Sequence, residues 1–264
     1  AKLGRGSSAL IHLAAEAMKR AFADRAEFMG DPDFVSIPVA GLISRRYGEE
    51  LRKGIDSDAA TPDVKFGNPA AHGGASTSHF SIVDRWGNVA AVTQTVNTHF
   101  GSGLVARGTG IVLNNQMDDF AAAAGAPNVF GVLGGTANAI APSKRPLSSM
   151  SPTLVLKDGR VRLAVGCAGG PRIITSAVTT IMNVVDFGMT VQEALDFPRY
   201  HSQGPVVWVE KEVPQDVRAA LVARGHKVEE RPYWSRCQAV ASDPATGRLF
   251  GAADSRQEGS ALGY

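Results

Sequence analysis

A hydroxyl becomes a useful nucleophile when a base takes its proton and donors hold the oxyanion that develops. The segment Ser76-Thr77-Ser78-His79-Phe80-Ser81 offers several hydroxyls and one imidazole where a loop passes into a strand-like stretch. Hydroxyl-rich strand starts are also common for reasons of β-propensity and turn formation alone, so this segment needs support from elsewhere. A Ser–His–Asp triad through His79 lacks the G-x-S-x-G elbow that would present its serine. Support comes first from Cys167-Ala168-Gly169-Gly170-Pro171, between a strand pattern and a helix pattern. Proline suits a first helical turn, and the two glycines before it leave backbone N–H groups approachable by a negative oxygen. Next, Leu113-Asn114-Asn115-Gln116-Met117-Asp118-Asp119-Phe120 gathers amides and carboxylates after an apolar β stretch. A carboxylate in a pocket suits a substrate ammonium, and amides suit a zwitterionic amino acid. Calcium is the rival occupant, but EF-hand spacing is absent. Finally, Lys144-Arg145-Pro146-Leu147-Ser148-Ser149-Met150-Ser151-Pro152 places hydroxyls beside basic residues.

The elements that must hold these groups follow from pattern. Residues 7–29 read as a helix capped by Ser7 or Ser8, with apolar residues at Ile11, Ala14, Met18, Ala21 and Phe22 and closure at Gly30 and Pro32. A second helical stretch is expected over about 38–54. Residues 56–76 have no period and read as a linker that ends directly before Thr77. Ser78–Asp84 and Val89–Asn97, joined by Arg85-Trp86-Gly87-Asn88, read as a β-hairpin. A long Gly/Ala/Pro loop covers 117–146, and a second hairpin pairs Thr153–Lys157 with Val161–Gly166. Pro171–Phe187 reads as a helix, and Thr190 with Glu193 forms a capping box for a shorter one. A strand at Val206–Glu210, a helix at Pro214–Arg224 and strands at Val228–Arg231, Gln238–Ser242 and Leu249–Ala253 are expected to complete one sheet. Central strands flanked by helices predict a layered α+β or α/β architecture.

Composition narrows the function classes. The chain has 264 residues, 44% apolar, with a net charge of +2, enough for one large domain or two small ones. No Lys/Arg run is long enough to track phosphates, which argues against nucleic acid. No uninterrupted apolar stretch has membrane-spanning length, so no membrane span is expected. Cys167 and Cys237 show no metal spacing, and two buried thiols are expected rather than a bridge. Because the sequence opens at Ala1, it is expected to be a processed product or a piece of a longer precursor.

Taken in order, Thr77-Ser78-His79-Phe80-Ser81, Gly87-Asn88, Thr93-Gln94-Thr95-Val96-Asn97, Phe100-Gly101-Ser102-Gly103, the Asn114–Phe120 block, Pro146–Pro152, Gly169-Gly170 and Gly263-Tyr264 resemble the γ-glutamyltranspeptidase family. The resemblance covers Thr77 to Tyr264, similar to that family's small catalytic subunit, and Ala21-Asp24-Arg25 with Gly30–Phe34 resembles the tail of its large subunit. It implies an N-terminal-nucleophile hydrolase with a four-layer αββα sandwich. Residues 1–76 would be the C-terminal part of the large subunit and 77–264 the small subunit. The precursor would cleave itself between Ser76 and Thr77. Thr77 would then carry both the nucleophilic hydroxyl and an α-amino base, whose pKa of roughly 7.7–8.0 suits neutral catalysis. A γ-glutamyl donor such as glutathione would acylate Thr77, and water or an amino-acid or peptide amine would take the acyl group. No cofactor or metal is implied.

Position by position, the resemblance gives Thr95 the task of orienting the nucleophile. It gives Asn97, Gln116, Asp119, Ser148 and Ser149 the donor's α-amino and α-carboxylate groups, and Gly169 and Gly170 the oxyanion. The 117–146 loop would be a lid, with Phe130 where some bacterial members have tyrosine. Members of the family carry a further upstream region of the large subunit, which would be a partner of this chain. Bacterial members are commonly periplasmic or secreted. Three rival expectations remain: a glutaryl or cephalosporin acylase of the same superfamily, an unprocessed inactive fragment, and a serine hydrolase using His79.

Overall fold

The computed structural model describes residues 2–62, 64, 76–121, 123, 125–232 and 235–263. Most of the expected linker before Thr77 therefore lies outside the described residues, as does Tyr264. Helix α1 (Ser8–Phe28) begins where the sequence places it, because Ser7 Oγ accepts the Leu10 N–H at 3.1 Å. Its stripe of Ile11, Ala15 and Met18 enters a core with Tyr200, Val207, Val209, Val213 and Leu221.

The single helix expected over 38–54 is two, α2 (Val39–Leu42) and α3 (Arg45–Lys53). Ser44 between them is extended and its Oγ accepts the Tyr47 N–H at 3.2 Å. A hydroxyl that caps a new helix competes with continuing the old one, and here the cap prevails.

Strands β1 (Ser76–Val83) and β2 (Val89–Asn97) form the expected antiparallel hairpin. Its turn is held by Asp84, whose carboxylate accepts the N–H groups of Trp86 and Asn88 at 2.9 Å each. The second hairpin, β3 (Thr153–Lys157) and β4 (Arg160–Ala168), leads into α4 (Arg172–Val185) and α5 (Val191–Asp196). The Thr190–Glu193 capping box at the start of α5 forms as expected. Then follow β5 (Tyr200–His201), β6 (Val206–Val209), α6 (Gln215–Ala223), β7 (Lys227–Glu230), β8 (Arg236–Ser242) and β9 (Leu249–Ala253).

The strands after α5 do not complete one sheet. β3-β4-β8-β9 form a four-stranded sheet, whereas β7 pairs in parallel with β6 in a separate sheet of order β5-β6-β7. The intervening α6 is the crossover that makes β6 and β7 parallel. The two-residue β5 carries no pattern of its own and exists only through pairing with β6.

β4 explains how the layers stack. It is buried on both faces, and the faces differ. Leu163, Val165 and Cys167 join Ile173, Ala177, Leu195 and Ala239 in the largest apolar cluster, beneath α4 and α5. On the other face Ala164, Gly166 and Ala168 are small, and β1 lies over them. A Cβ at Gly166 would stand 2.2 Å from His79 Nδ1, so the absent side chain is the space the imidazole fills. The described elements thus supply helix layer, sheet and sheet of the expected αββα order. The far face of the β1–β2 hairpin exposes Phe80, Ile82 and Val92.

Gly166→Ala is expected to cost about 1–3 kcal/mol through overpacking, read as a lower denaturation midpoint at unchanged secondary structure. The thiols expected to be free are instead joined. Cys167 and Cys237 face each other in the β4–β8 register and form a disulfide, because adjacent antiparallel strands bring directly opposed Cβ atoms within bonding reach.

Candidate active site

Thr77 is half-buried on the β1 face that meets β4, opposite Thr95 in the hairpin ladder. Its hydroxyl donates to Thr95 Oγ1 at 3.0 Å, and Thr95 Oγ1 also accepts the Asn97 N–H at 2.8 Å. The Thr95 side chain is therefore fixed by its own strand before it meets Thr77. The ladder slips at this point: Thr77 pairs with Thr95 but Ser76 with Asn97. Strand irregularities of this kind re-aim side chains and gather at functional sites. The slip falls on the Ser76–Thr77 bond itself.

A cleft of about 360 Å³ opens beside Thr77, lined also by Ala168, Arg236 and Gln238 and by Gln257–Leu262 of the C-terminal tail. Ala168 ends β4, and Gly169 and Gly170 follow with φ of 138° and 60°. Side chains are strained in both conformations, which is why glycine stands there. The two residues turn the chain from β4 into α4, whose N-terminus presents backbone N–H groups. Phe130 packs on this turn; a Cβ at Gly170 would stand 2.9 Å from its ring. The ring is buried with Val129 and Val132, and the Phe130 carbonyl accepts Gln203 Nε2 at 3.1 Å.

The amide and carboxylate block lies beyond Thr95, at the end of β2, and lines no part of that cleft. Asn97 is buried at positive φ of 80°, and its Nδ2 donates to the Asn115 carbonyl at 3.3 Å. Asn115 returns the contact, its N–H bonding Val96 O at 3.2 Å and its Oδ1 accepting Thr98 N and Oγ1. These bonds fasten the 3₁₀ turn Gln116–Asp119 to the end of β2. Burial pushes the Asp119 carboxyl up to about 7; the Arg25 charge opposes that shift and Asp118 adds to it. Arg25 Nη2 donates to Ser149 Oγ at 3.0 Å. Ser148 is exposed, and its Oγ accepts the Met150 N–H at 3.1 Å.

The structure thus joins Thr77, Thr95 and Asn97 in one chain of bonds that reaches Asn115, whose carbonyl also accepts the Asp118 N–H of the turn carrying Gln116 and Asp119. Ser149 meets that block through Arg25, Phe130 covers Gly170, and Ser148 turns into a local bond. Sequence reasoning names Arg25 and Asn115 only within longer motifs and gives no role to either, nor to the tail residues 257–262. Asn115 sits inside the polar block, but nothing local separates it from Asn114.

Two other polar groups belong to the core. His79 lies between Thr93 Oγ1 and Ser81 Oγ at 2.8 and 2.9 Å, and burial pushes its pKa down to about 4. It is a neutral ring bonded to hydroxyls, with no carboxylate among those partners and no bond to Thr77. His12, Glu16 and His226 are close enough to hold a metal ion. Glu16, however, is already paired with Lys19 at 2.8 Å and Arg20 at 2.7 Å, and His12 with His226 and the Asp56 carbonyl. A dication there would meet two cations and occupied lone pairs. Among the described residues, no helix is long and apolar enough to cross a membrane.

Comparison with known proteins bears on the lineage of the chain. Residues 1–264 match the family model described as gamma-glutamyltranspeptidase. The chain is 45% identical over 259 residues to the glutathione hydrolase proenzyme of Escherichia coli (strain K12), covering 97% of this chain and 44% of that protein. It is 41% identical over 261 residues to the acylase ACY 1 proenzyme of Pseudomonas sp. (strain SE83), covering 98% and 44%. Among solved structures, a mutant gamma-glutamyltranspeptidase from Helicobacter pylori superposes with a TM-score of 0.66 at 43% identity, covering 68% of this chain and 99% of that one. The chain spans less than half the length of these curated relatives. Whole-chain identity at this level, with the same fold, fixes the lineage: the chain belongs to the gamma-glutamyltranspeptidase family.

Proposed function

We propose that the chain is the cleavage-site and catalytic portion of a γ-glutamyltranspeptidase, or glutathione hydrolase. Residues 1–76 are the tail of its large subunit and 77–264 its small subunit. The observation that carries this reading is the Thr77–Thr95 hydroxyl pair at 3.0 Å, set where strand register breaks at Ser76/Thr77. In the first reaction Thr77 Oγ attacks the Ser76 carbonyl, the acyl group shifts from nitrogen to oxygen, and water hydrolyses the ester. Thr77 then has a free α-amino group.

In the second reaction that amine takes the Thr77 hydroxyl proton as Oγ attacks the donor's γ-carbonyl. The Gly169 and Gly170 amides receive the oxyanion. The protonated amine returns its proton to the departing amine, and an ester remains on Thr77. Water releases glutamate from it, while an amino acid or peptide amine gives transfer. Thr95 holds the hydroxyl in line. Asn97, Gln116 and Asp119 take the donor ammonium, Ser148 and Ser149 its carboxylate, and Phe130 with the 117–146 loop covers the pocket. None of these steps calls on a cofactor.

The acylase relative makes a glutaryl donor the second reading. Asp119 argues against it, since a buried carboxylate gains nothing from a donor without an α-amino group. Releasing an anilide from paired γ-glutamyl and glutaryl substrates decides between them, and faster glutaryl release contradicts the present reading. With the γ-glutamyl compound, kcat/KM is expected to rise with pH as Asp119 ionises near 7 and again as the α-amine loses its proton. Asp119→Asn is expected to lower γ-glutamyl kcat/KM by roughly ten- to a hundredfold and to remove the lower ionisation. The Cys167–Cys237 disulfide supports an oxidising, periplasmic or extracellular location. Partners are γ-glutamyl donors, amine acceptors and the upstream large-subunit region.

A further inference from the structure

Arg25 stands upstream of the proposed cleavage site, yet its guanidinium reaches the residues proposed to bind the donor. Its Nη2 donates to Ser149 Oγ at 3.0 Å. Arg25 and Asp119 also line one small cavity of about 10 Å³ with Asn138 and Leu147.

The surroundings are built rather than incidental. The next residue of α1, Ala26, accepts the Gly135 N–H at 2.8 Å, and a Cβ at Gly135 would stand 2.6 Å from the Ala26 carbonyl oxygen. The loop is therefore pressed against the end of α1 at a glycine that permits the approach. Three residues on, Asn138 donates through Nδ2 to the Asp119 carbonyl at 2.7 Å and accepts Leu147 N–H on Oδ1 at 3.1 Å. One buried amide thus ties the Asp119 turn to the Ser148-Ser149 segment, with Arg25 between them. Burial holds the Arg25 pKa down at about 10 against the pull of Asp119, so the side chain is still a cation at neutral pH. The charged groups acting on Asp119 are Arg25 from α1 and Asp118 from its own turn.

We propose that Arg25 is a positioning and specificity-determining residue of the donor pocket, supplied across the cleavage point by the upstream segment, orienting the Ser149 hydroxyl and setting a cation beside Asp119 so that the pocket demands an α-ammonium beside the α-carboxylate. The inference rests on the γ-glutamyl reading. Without the guanidinium, Ser149 loses its fixed orientation and Asp119 loses the cation that favours its ionised form. Each half of the amino-acid head group is then held less well, while the acyl chemistry at Thr77 is untouched.

The test uses the full-length protein carrying Arg25→Met or Arg25→Lys, with γ-glutamyl and glutaryl anilides, across pH. Arg25→Met is expected to be processed and to keep its γ-glutamyl kcat. Its γ-glutamyl KM should rise roughly ten- to a hundredfold. The lower ionisation in its kcat/KM profile should move to higher pH, and its glutaryl KM should rise by a smaller factor, because that donor shares the carboxylate but has no ammonium for Asp119. Arg25→Lys keeps the charge but not the planar fork. It should restore the wild-type ionisation while leaving KM raised. A methionine variant with wild-type KM and pH profile overturns the inference, as does one that loses kcat equally on both donors. Should the methionine variant fail to fold, a lysine variant with wild-type KM overturns it. Wild-type protein that releases the glutaryl anilide faster overturns the γ-glutamyl reading and this inference together. Wild-type γ-glutamyl preference beside an indifferent Arg25→Met overturns this inference alone.

Discussion

Thr77→Ala is expected to give a protein that stays whole on prolonged incubation and turns over γ-glutamyl donors on the order of a million-fold more slowly. Alanine removes the atom that would cut the Ser76–Thr77 bond and the atom that would carry the acyl group. Both activities should therefore vanish together, and Thr95 Oγ1 should lose the hydroxyl that donates to it at 3.0 Å. Electrophoresis checks cleavage and anilide release checks turnover. A serine hydrolase acting through His79 would instead keep its activity. That rival is poorly served by the fold, because His79 is buried against Gly166 and bonded to Thr93 and Ser81. The polar cluster that does face Thr77 comes from the next strand of the hairpin.

Asp254→Ala should have the largest effect on stability, about 3–5 kcal/mol, because it strips a buried carboxylate from two cations. Asp254 Oδ2 accepts Arg199 Nη2 at 2.6 Å and the Cys237 N–H at 3.0 Å, while Oδ1 accepts Arg256 Nη1 at 3.1 Å. Arg256 also reaches Glu210 at 2.6 Å, and Glu210 accepts the Arg199 N–H at 2.9 Å. The network joins the start of the β5–β6 pair to the end of β9 and to β8 at Cys237. It therefore locks the three-stranded sheet to the four-stranded one behind the Thr77 cleft. Thermal unfolding should report a midpoint lower by roughly 10 °C. A shift under a degree would show that the paired charges contribute little beyond their own desolvation.

What the sequence disclosed and what it hid divide along a physical line. The β1–β2 turn, the Thr190–Glu193 box, the α1 cap and the Gly169-Gly170 turn are all local, written in residues a few positions apart. Ser44 is local too, but helix-forming residues on both sides mask its capping role. β5 and the sheet membership of β7 depend on partners many residues away and leave no periodic trace. The Cys167–Cys237 bond depends on β4 and β8 meeting in one register. Arg25 is the same case at the site: in the sequence it belongs to a motif without an assigned role, and only the approach of Gly135 and Asn138 brings it to Ser149. Gln116 and Asp119 stand in a polar block that is conspicuous in the sequence, whereas the role expected of Asn97 comes only from the family resemblance.

The central claim is that Thr77 becomes competent by losing Ser76, so the decisive measurement is the intact mass of the purified protein after incubation, with sequencing of any new N-terminus. The account predicts a fragment spanning Thr77 to Tyr264, beginning with an unmodified threonine and appearing in step with γ-glutamyl anilide release. An active protein in which the Ser76–Thr77 bond stays intact, or one cut at any other bond, would contradict it.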